Sequence, residues 1–175
     1  MKTSLVLQGV FALASVFGSL APSAVRAASP TPSARVVVIF DHPERFSDIK
    51  LLRYPIDEVK DRNHVMAVFR DYITQRAVAY LPEGYHFYVR FTDMGLAGQF
   101  PPGGFWDYRV VTRNFPPVFV FGWAITDRSG AVVKMASENL IGADFMDLGS
   151  NALENEPYHF EKAVLDDWMR ENLRV

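Results

Sequence analysis

The sequence contains no cysteine. That absence excludes a disulfide framework, thiol redox chemistry and a cysteine-based zinc site. It also removes any lipid-modified N-terminal cysteine. Also missing are G-x-S-x-G, G-x-G-x-x-G, a P-loop and H-E-x-x-H, so the common hydrolase, nucleotide and zinc-protease signatures are not present. Basic residues are in slight deficit, 18 against 20 acidic, for a formal net charge of −2. With no basic cluster, the electrostatic footprint of a nucleic-acid binder is lacking, and an anionic membrane surface is an equally poor partner. After residue 20 no apolar run approaches the roughly 20 residues that a membrane-spanning helix needs.

What is present starts with residues 1–27. Lys2 supplies a positive start, residues 5–20 are apolar apart from Gln8 and small residues, and Val25 and Ala27 occupy the −3 and −1 positions of a small-residue cleavage site. That order is a secretory signal peptide, and the apolar core is too short for a membrane anchor. Cleavage after Ala27 removes Lys2 and Arg26 but no acidic residue, which moves the formal net charge from −2 to −4. Residues 28–34 form a Pro/Ser linker, expected to be disordered. Residues 35–175 are expected to be one soluble globular domain, able to bury roughly 70% of its unfolded surface. The expected location is the periplasm.

Hydrophobic periodicity sets the elements. Residues 35–40 are apolar on both faces and predict a central buried strand. Residues 55–80 carry Val59, Met66, Phe69, Ile73 and Tyr80 at helical spacing, with Pro55 in the first turn and Pro82-Glu-Gly84 as the stop. Residues 85–92 alternate as a half-buried strand. Residues 107–113 are a plausible strand, and residues 118–126, apolar on both faces, a central one. A turn at residues 127–130 returns the chain along residues 131–140 as a hairpin. Residues 141–155 look irregular, and residues 156–173 form a second helix. The order β-α-β-β-β-β-α predicts an α+β domain, a mixed or mainly antiparallel sheet of about five strands covered by two helices.

Four constellations invite chemistry. Ser47-Asp-Ile-Lys50 matches the S-x-x-K pattern in which lysine activates serine, and Ser137-Glu-Asn139 supplies an S-x-N. A K-T-G is absent, however, and the serine falls in a loop instead of opening a helix. Asp41, His42 and Glu44 are too close in sequence for ordinary metal geometry, and no metal or cofactor is expected. Asp167 falls roughly 20° from Phe160 around its helix, on the apolar side, with Asp166 toward solvent. A carboxylate there needs a partner, and strand arginines Arg90 and Arg109 are the candidates. Finally, Phe100-Pro-Pro-Gly-Gly-Phe-Trp106 places Phe100, Phe105 and Trp106 in a loop that forms no regular structure. This is either a recognition surface or a plug over one end of the sheet.

Four stretches carry a family resemblance: Val36-Val-Val-Ile-Phe-Asp-His-Pro-Glu-Arg-Phe-Ser-Asp-Ile49; Asp93-Met-Gly-Leu-Ala-Gly-Gln-Phe-Pro-Pro102; Arg109-Val-Val111 with Phe115-Pro-Pro117; and Glu156-Pro-Tyr-His-Phe-Glu-Lys-Ala-Val-Leu-Asp-Asp-Trp168. In that order they resemble a family of small exported bacterial proteins labelled domain of unknown function 3016. The resemblance covers nearly all of the mature chain. It implies an exported domain and brings no activity, cofactor or catalytic residue with it. Its pattern accepts arginine at the Lys50 position, which disfavours a serine–lysine pair, and the Gly/aromatic insert after Pro101 departs from it.

The resulting expectation is a non-enzymatic envelope protein that binds a protein, peptide or cell-wall partner through Phe100, Phe105 and Trp106. The alternative is a small carboxylate-based hydrolase or lyase. Its acids would be Asp41, Asp93 and Asp167, with Arg109 gripping an anionic substrate. The oligomeric state is left open.

Overall fold

The computed structural model describes residues 35–103, 106–148 and 155–174. The expected leader at 1–27, the linker at 28–34 and Phe105 lie outside them. The fold is α+β. Strand β1 (Val36–Phe40) leads through a long loop into helix α1 (Glu58–Tyr80). Strands β2 (His86–Gly95), β3 (Val118–Thr126) and β4 (Val132–Ile141) follow, then a single turn α2 (Phe145–Leu148) and helix α3 (His159–Asn172). The sheet order is β1-β2-β3-β4, with β1 parallel to β2 and the other pairs antiparallel.

Alternation in β2 and β3 builds the core. Phe87, Val89, Phe91, Phe119, Phe121 and Ile125 point to one face and are fully buried there. Helix α1 meets that face with Phe69, Ile73 and Ala77, and α3 with Leu165, Trp168 and Met169. Phe121 packs edge-on against Trp168, with ring centroids 4.9 Å apart, and tilted against Phe91 at 5.1 Å. Both long helices lie on this side, and among the described residues no helix covers the other face of the sheet. There a shallow trough of about 520 Å³ is lined by Ile39, Tyr88, Arg90, Val120, Gly122 and Ala124.

Local chemistry explains the helix ends. The Asp57 side chain caps α1 by accepting from the Lys60 N–H at 2.9 Å. Just past the other end the Arg35 guanidinium donates to the carbonyls of Leu81 and Pro82 at 3.1 and 2.7 Å, which ties the start of β1 to the turn that follows α1. Val59, counted in the apolar stripe, is exposed in the first turn, because the buried stripe begins only at Val65.

Three expectations are corrected. The sheet has four strands, since residues 107–113 make only one isolated bridge, Gln99 with Val110. Bounded by prolines on both sides, that segment instead turns Arg109 inward and Tyr108 outward. Strand β1 is an edge strand, not a central one. Its double-sided apolarity arises because Val36 and Val38 face the core while Ile39 walls the trough. And the stretch after β4 contains α2, whose Phe145 is buried against Phe160 at 5.0 Å.

Phe121→Ala removes a buried ring from the centre of this cluster. It should cost about 3–5 kcal/mol of stability, read as a lower urea midpoint at unchanged m-value.

Candidate functional site

Because β1 and β2 are parallel, the loops that follow them leave from the same end of the sheet. The β1 loop begins with His42 in the left-handed region and one 3-10 turn over Pro43–Arg45. A register shift between Phe91 and Asp93 then turns Asp93 toward this loop. Asp93 accepts from the backbone N–H of Ser47 at 2.6 Å and from its hydroxyl.

Arg109 zips the two loops together. Its guanidinium forms a two-pronged pair with Asp48, both contacts at 2.9 Å. It also donates to the carbonyls of Leu96, Ala97, Gly98 and Lys50 at 2.6–3.2 Å. The side chain is 10% exposed. Gly98 must be glycine for two reasons: its φ is +80°, and a Cβ would fall 2.6 Å from the Val110 carbonyl oxygen.

On the outer side of this knot lies Phe100, between the guanidinium groups of Arg53 (5.5 Å) and Arg109 (5.2 Å). Arg53 also donates to the carbonyls of Pro101 and Trp106, and the Tyr54 N–H donates to Asp107 at 3.1 Å. The two loops therefore advance together and present apolar side chains outward. Ile56 is 99% exposed, Tyr54 68%, Trp106 54% and Tyr108 53%. Trp106 and Tyr108 lie 5.5 Å apart by ring centroid. Among the sequence candidates, Trp106 stands on this surface and Phe100 is half-buried beneath it.

Beneath the knot Glu161 is 4% exposed and accepts from the Ala97 N–H at 2.8 Å. Burial pushes its carboxyl up from the usual range, against the lowering influence of that hydrogen bond and of Arg109. Sequence reasoning passed over Glu161, Tyr54, Ile56 and Tyr108. The pairing of the Leu96-Ala-Gly98 and Glu161-Lys-Ala163 stretches, both within the family-like motifs, was the available signal for Glu161.

The remaining candidates go to separate partners. Asp41 pairs with Arg90 at 2.9 Å, and the Arg90 hydrogen bond holds its carboxyl below the usual range. Ser47 is bound to Asp93, whereas Lys50 lies 4.0 Å from Glu58. His42 bonds to Glu44 at 2.9 Å. Asp167 pairs with Arg170 within its own helix and borders a different depression, with Leu140, Gly142 and Val164.

The two neighbouring aspartates exchange the roles expected of them. Asp166 is the one that pins α3 to the rest of the fold, through Arg76 at 2.7 and 2.9 Å and the Tyr80 hydroxyl at 3.0 Å. Phe160, from which Asp167 was placed, sits on the flank of the buried stripe formed by Glu161, Leu165 and Trp168. Asp167 inherits that flank. The partner is a helix arginine, not Arg90 or Arg109, which serve Asp41 and Asp48.

A family model described as "Protein of unknown function (DUF3016)" matches residues 34–171. No curated protein and no solved structure matches the chain.

Glu161 gives a pH test. A carboxyl whose folded pKa is raised contributes stability that is fully present below its unfolded value of about 4.3, and this is lost as pH rises through the folded value. Glu161→Gln keeps an acceptor for the Ala97 N–H and removes the titration. The variant should match the parent near pH 4 and become progressively more stable than it as pH rises, in paired denaturant curves. A difference that does not change with pH would refute the assignment.

Proposed function

Given that the chain belongs to the DUF3016 family, whose description assigns no reaction, we propose that it is an exported envelope protein that works by binding. Its partner is a protein, a peptide or a cell-wall component, and its contact surface is the apolar patch of Tyr54, Ile56, Trp106 and Tyr108. One observation carries the reading: these large apolar side chains are exposed on loops that are cross-tied by Arg53, Asp107 and Arg109. Exposed aromatics on a preorganised base lose little conformational freedom on binding, and contact surfaces are enriched in Trp and Tyr. The plug alternative needs Trp106 buried, and it is half exposed. Export rests on the charge, apolar core and small-residue order of residues 1–27.

The carboxylate-enzyme reading has weaker support. It needs Asp41, Asp93, Asp167 and Arg109 around one cleft, and these go to Arg90, Ser47, Arg170 and Asp48 respectively.

Two outcomes test the proposal. The form recovered from the periplasm should begin at Ala28 by N-terminal sequencing; a chain retained in the cytosol with residues 1–27 intact would sink the export claim. Tyr54→Ala/Trp106→Ala should leave the thermal midpoint unchanged within a degree or two, because both side chains are mostly outside the core. It should weaken capture of the envelope partner by about tenfold or more. Unchanged capture by a folded double variant would remove the patch as the contact surface.

A further inference from the structure

Among the described residues strand β4 is the second edge of the sheet, paired with β3 on one side only. It is ten residues long, twice the length of β1, and contains no proline. Gly142 donates to the Pro117 carbonyl at 3.0 Å. Since antiparallel ladders alternate, the main-chain groups of Leu140, Glu138, Ala136 and Lys134 face β3, and those of Asn139, Ser137 and Met135 face outward. Among the described residues no hydrogen bond reaches these outward groups. Unpaired edges of this length template pairing with another chain, and proteins usually blunt them with proline or repelling charge. Here the only charges are one lysine and one glutamate, Lys134 and Glu138, on the same face and four positions apart.

We propose that β4 pairs antiparallel with β4 of a second copy of this chain, about a two-fold axis at Ala136, joining two four-stranded sheets into one of eight strands. In that register the outward main-chain groups of Met135 and Ser137 meet those of the same residues in the other copy. Lys134 stands opposite the partner's Glu138 in a non-hydrogen-bonded pair, the position where facing side chains approach most closely. The two-fold axis supplies the same ion pair a second time. Ala136 faces itself on the axis, where a small side chain fits. Centring the axis on Met135 or Ser137 instead would set Lys134 against Ala136 or Leu140, so charge selects the register.

Both side chains stand on the helix-covered face of this edge and hold contacts within the chain that leave part of their bonding capacity free. The Lys134 ammonium donates to the Asn172 carbonyl at 2.8 Å and lies 5.4 Å from the centre of the Trp123 ring. Glu138 accepts from the Trp123 indole N–H at 3.0 Å. Two ammonium donors and one carboxylate oxygen remain for the partner copy. On the other face Met135 is 71% exposed at the same edge. A foreign strand would need to match this charge order by chance, whereas a second copy matches it by symmetry.

Sedimentation equilibrium of the chain as its host processes it, over a micromolar concentration series, should show a reversible dimer. Lys134→Glu or Glu138→Lys alone places like charges opposite each other twice and should weaken the dimer by about tenfold or more. The exchanged double variant, Lys134→Glu/Glu138→Lys, should restore it. Because these residues also contact Trp123, Ser137→Pro provides a second route: it removes an outward N–H with no partner among the described residues and should give a folded monomer. A chain that stays monomeric throughout would overturn the proposal, including one whose edge takes up a foreign strand. So would a dimer indifferent to the single reversals and to Ser137→Pro.

Discussion

The arrangement of the loop end depends on the Arg109 guanidinium. It is almost wholly removed from water, and its donors are directed at one carboxylate and a fan of backbone carbonyls drawn from both loops. A buried guanidinium without partners is costly, and so are buried carbonyls without donors. The same contacts therefore settle both debts at once. They also explain a glycine: the loop passes so near Val110 that Gly98 has no room for a Cβ. Lysine could not substitute, because a point charge with three donors cannot grip a carboxylate side-on while reaching carbonyls in the guanidinium plane. The exposed aromatics stand on a base whose geometry is fixed by charge-assisted hydrogen bonds.

This matters because the chain has no cysteine. Long loops in a protein of this size need ties, and disulfides are one common solution. Here the ties are ionic and polar. Asp48–Arg109 joins the loops, Asp166–Arg76 joins the two long helices, and Lys162 reaches Glu156 at 2.6 Å across the start of α3. A pair as exposed as Arg113–Asp147 contributes little. The half-buried ones act differently, since removing one partner leaves the other charged and poorly solvated. They fix which parts meet, and the aromatic core supplies most of the favourable free energy.

The sequence exposed the long elements and misjudged the edges, for a physical reason. Periodicity reports which side chains are buried, so β3 was legible to the residue and the middle of the α1 stripe, Met66, Phe69 and Ile73, with it. It does not report which backbone pairs with which. Strand β1 carries apolar residues on both faces yet lies at an edge, because the open trough also takes an apolar wall. Residues 107–113 have strand-like composition but no neighbouring strand to pair with. A carboxylate of the last helix in need of a partner was legible, but helical geometry pointed to Asp167 where packing uses Asp166, and Arg109 was legible only as a candidate partner. The partners themselves, Asp48 and Arg76, stand 61 and 90 residues away in sequence and are set by tertiary packing alone. Trp106 was visible as a loop aromatic, whereas Tyr54 and Ile56 joined it only through the Arg53 and Asp107 contacts.

A one-sided sheet concentrates these consequences. With both helices on one face, the other face and the β4 edge stay accessible, and polarity must manage them without cover. On the covered side of β4, Lys134 and Glu138 flank Trp123 and let the strand end the core without leaving a bare indole at the rim. That placement has a cost in specificity. Charges of opposite sign at a symmetric spacing protect an edge against most strands but not against the same strand reversed. A single repeated charge would have blocked self-pairing, and it would also have left Trp123 without either its cation or its acceptor. Satisfying the core edge and leaving the strand self-complementary are thus one choice of residues, not two.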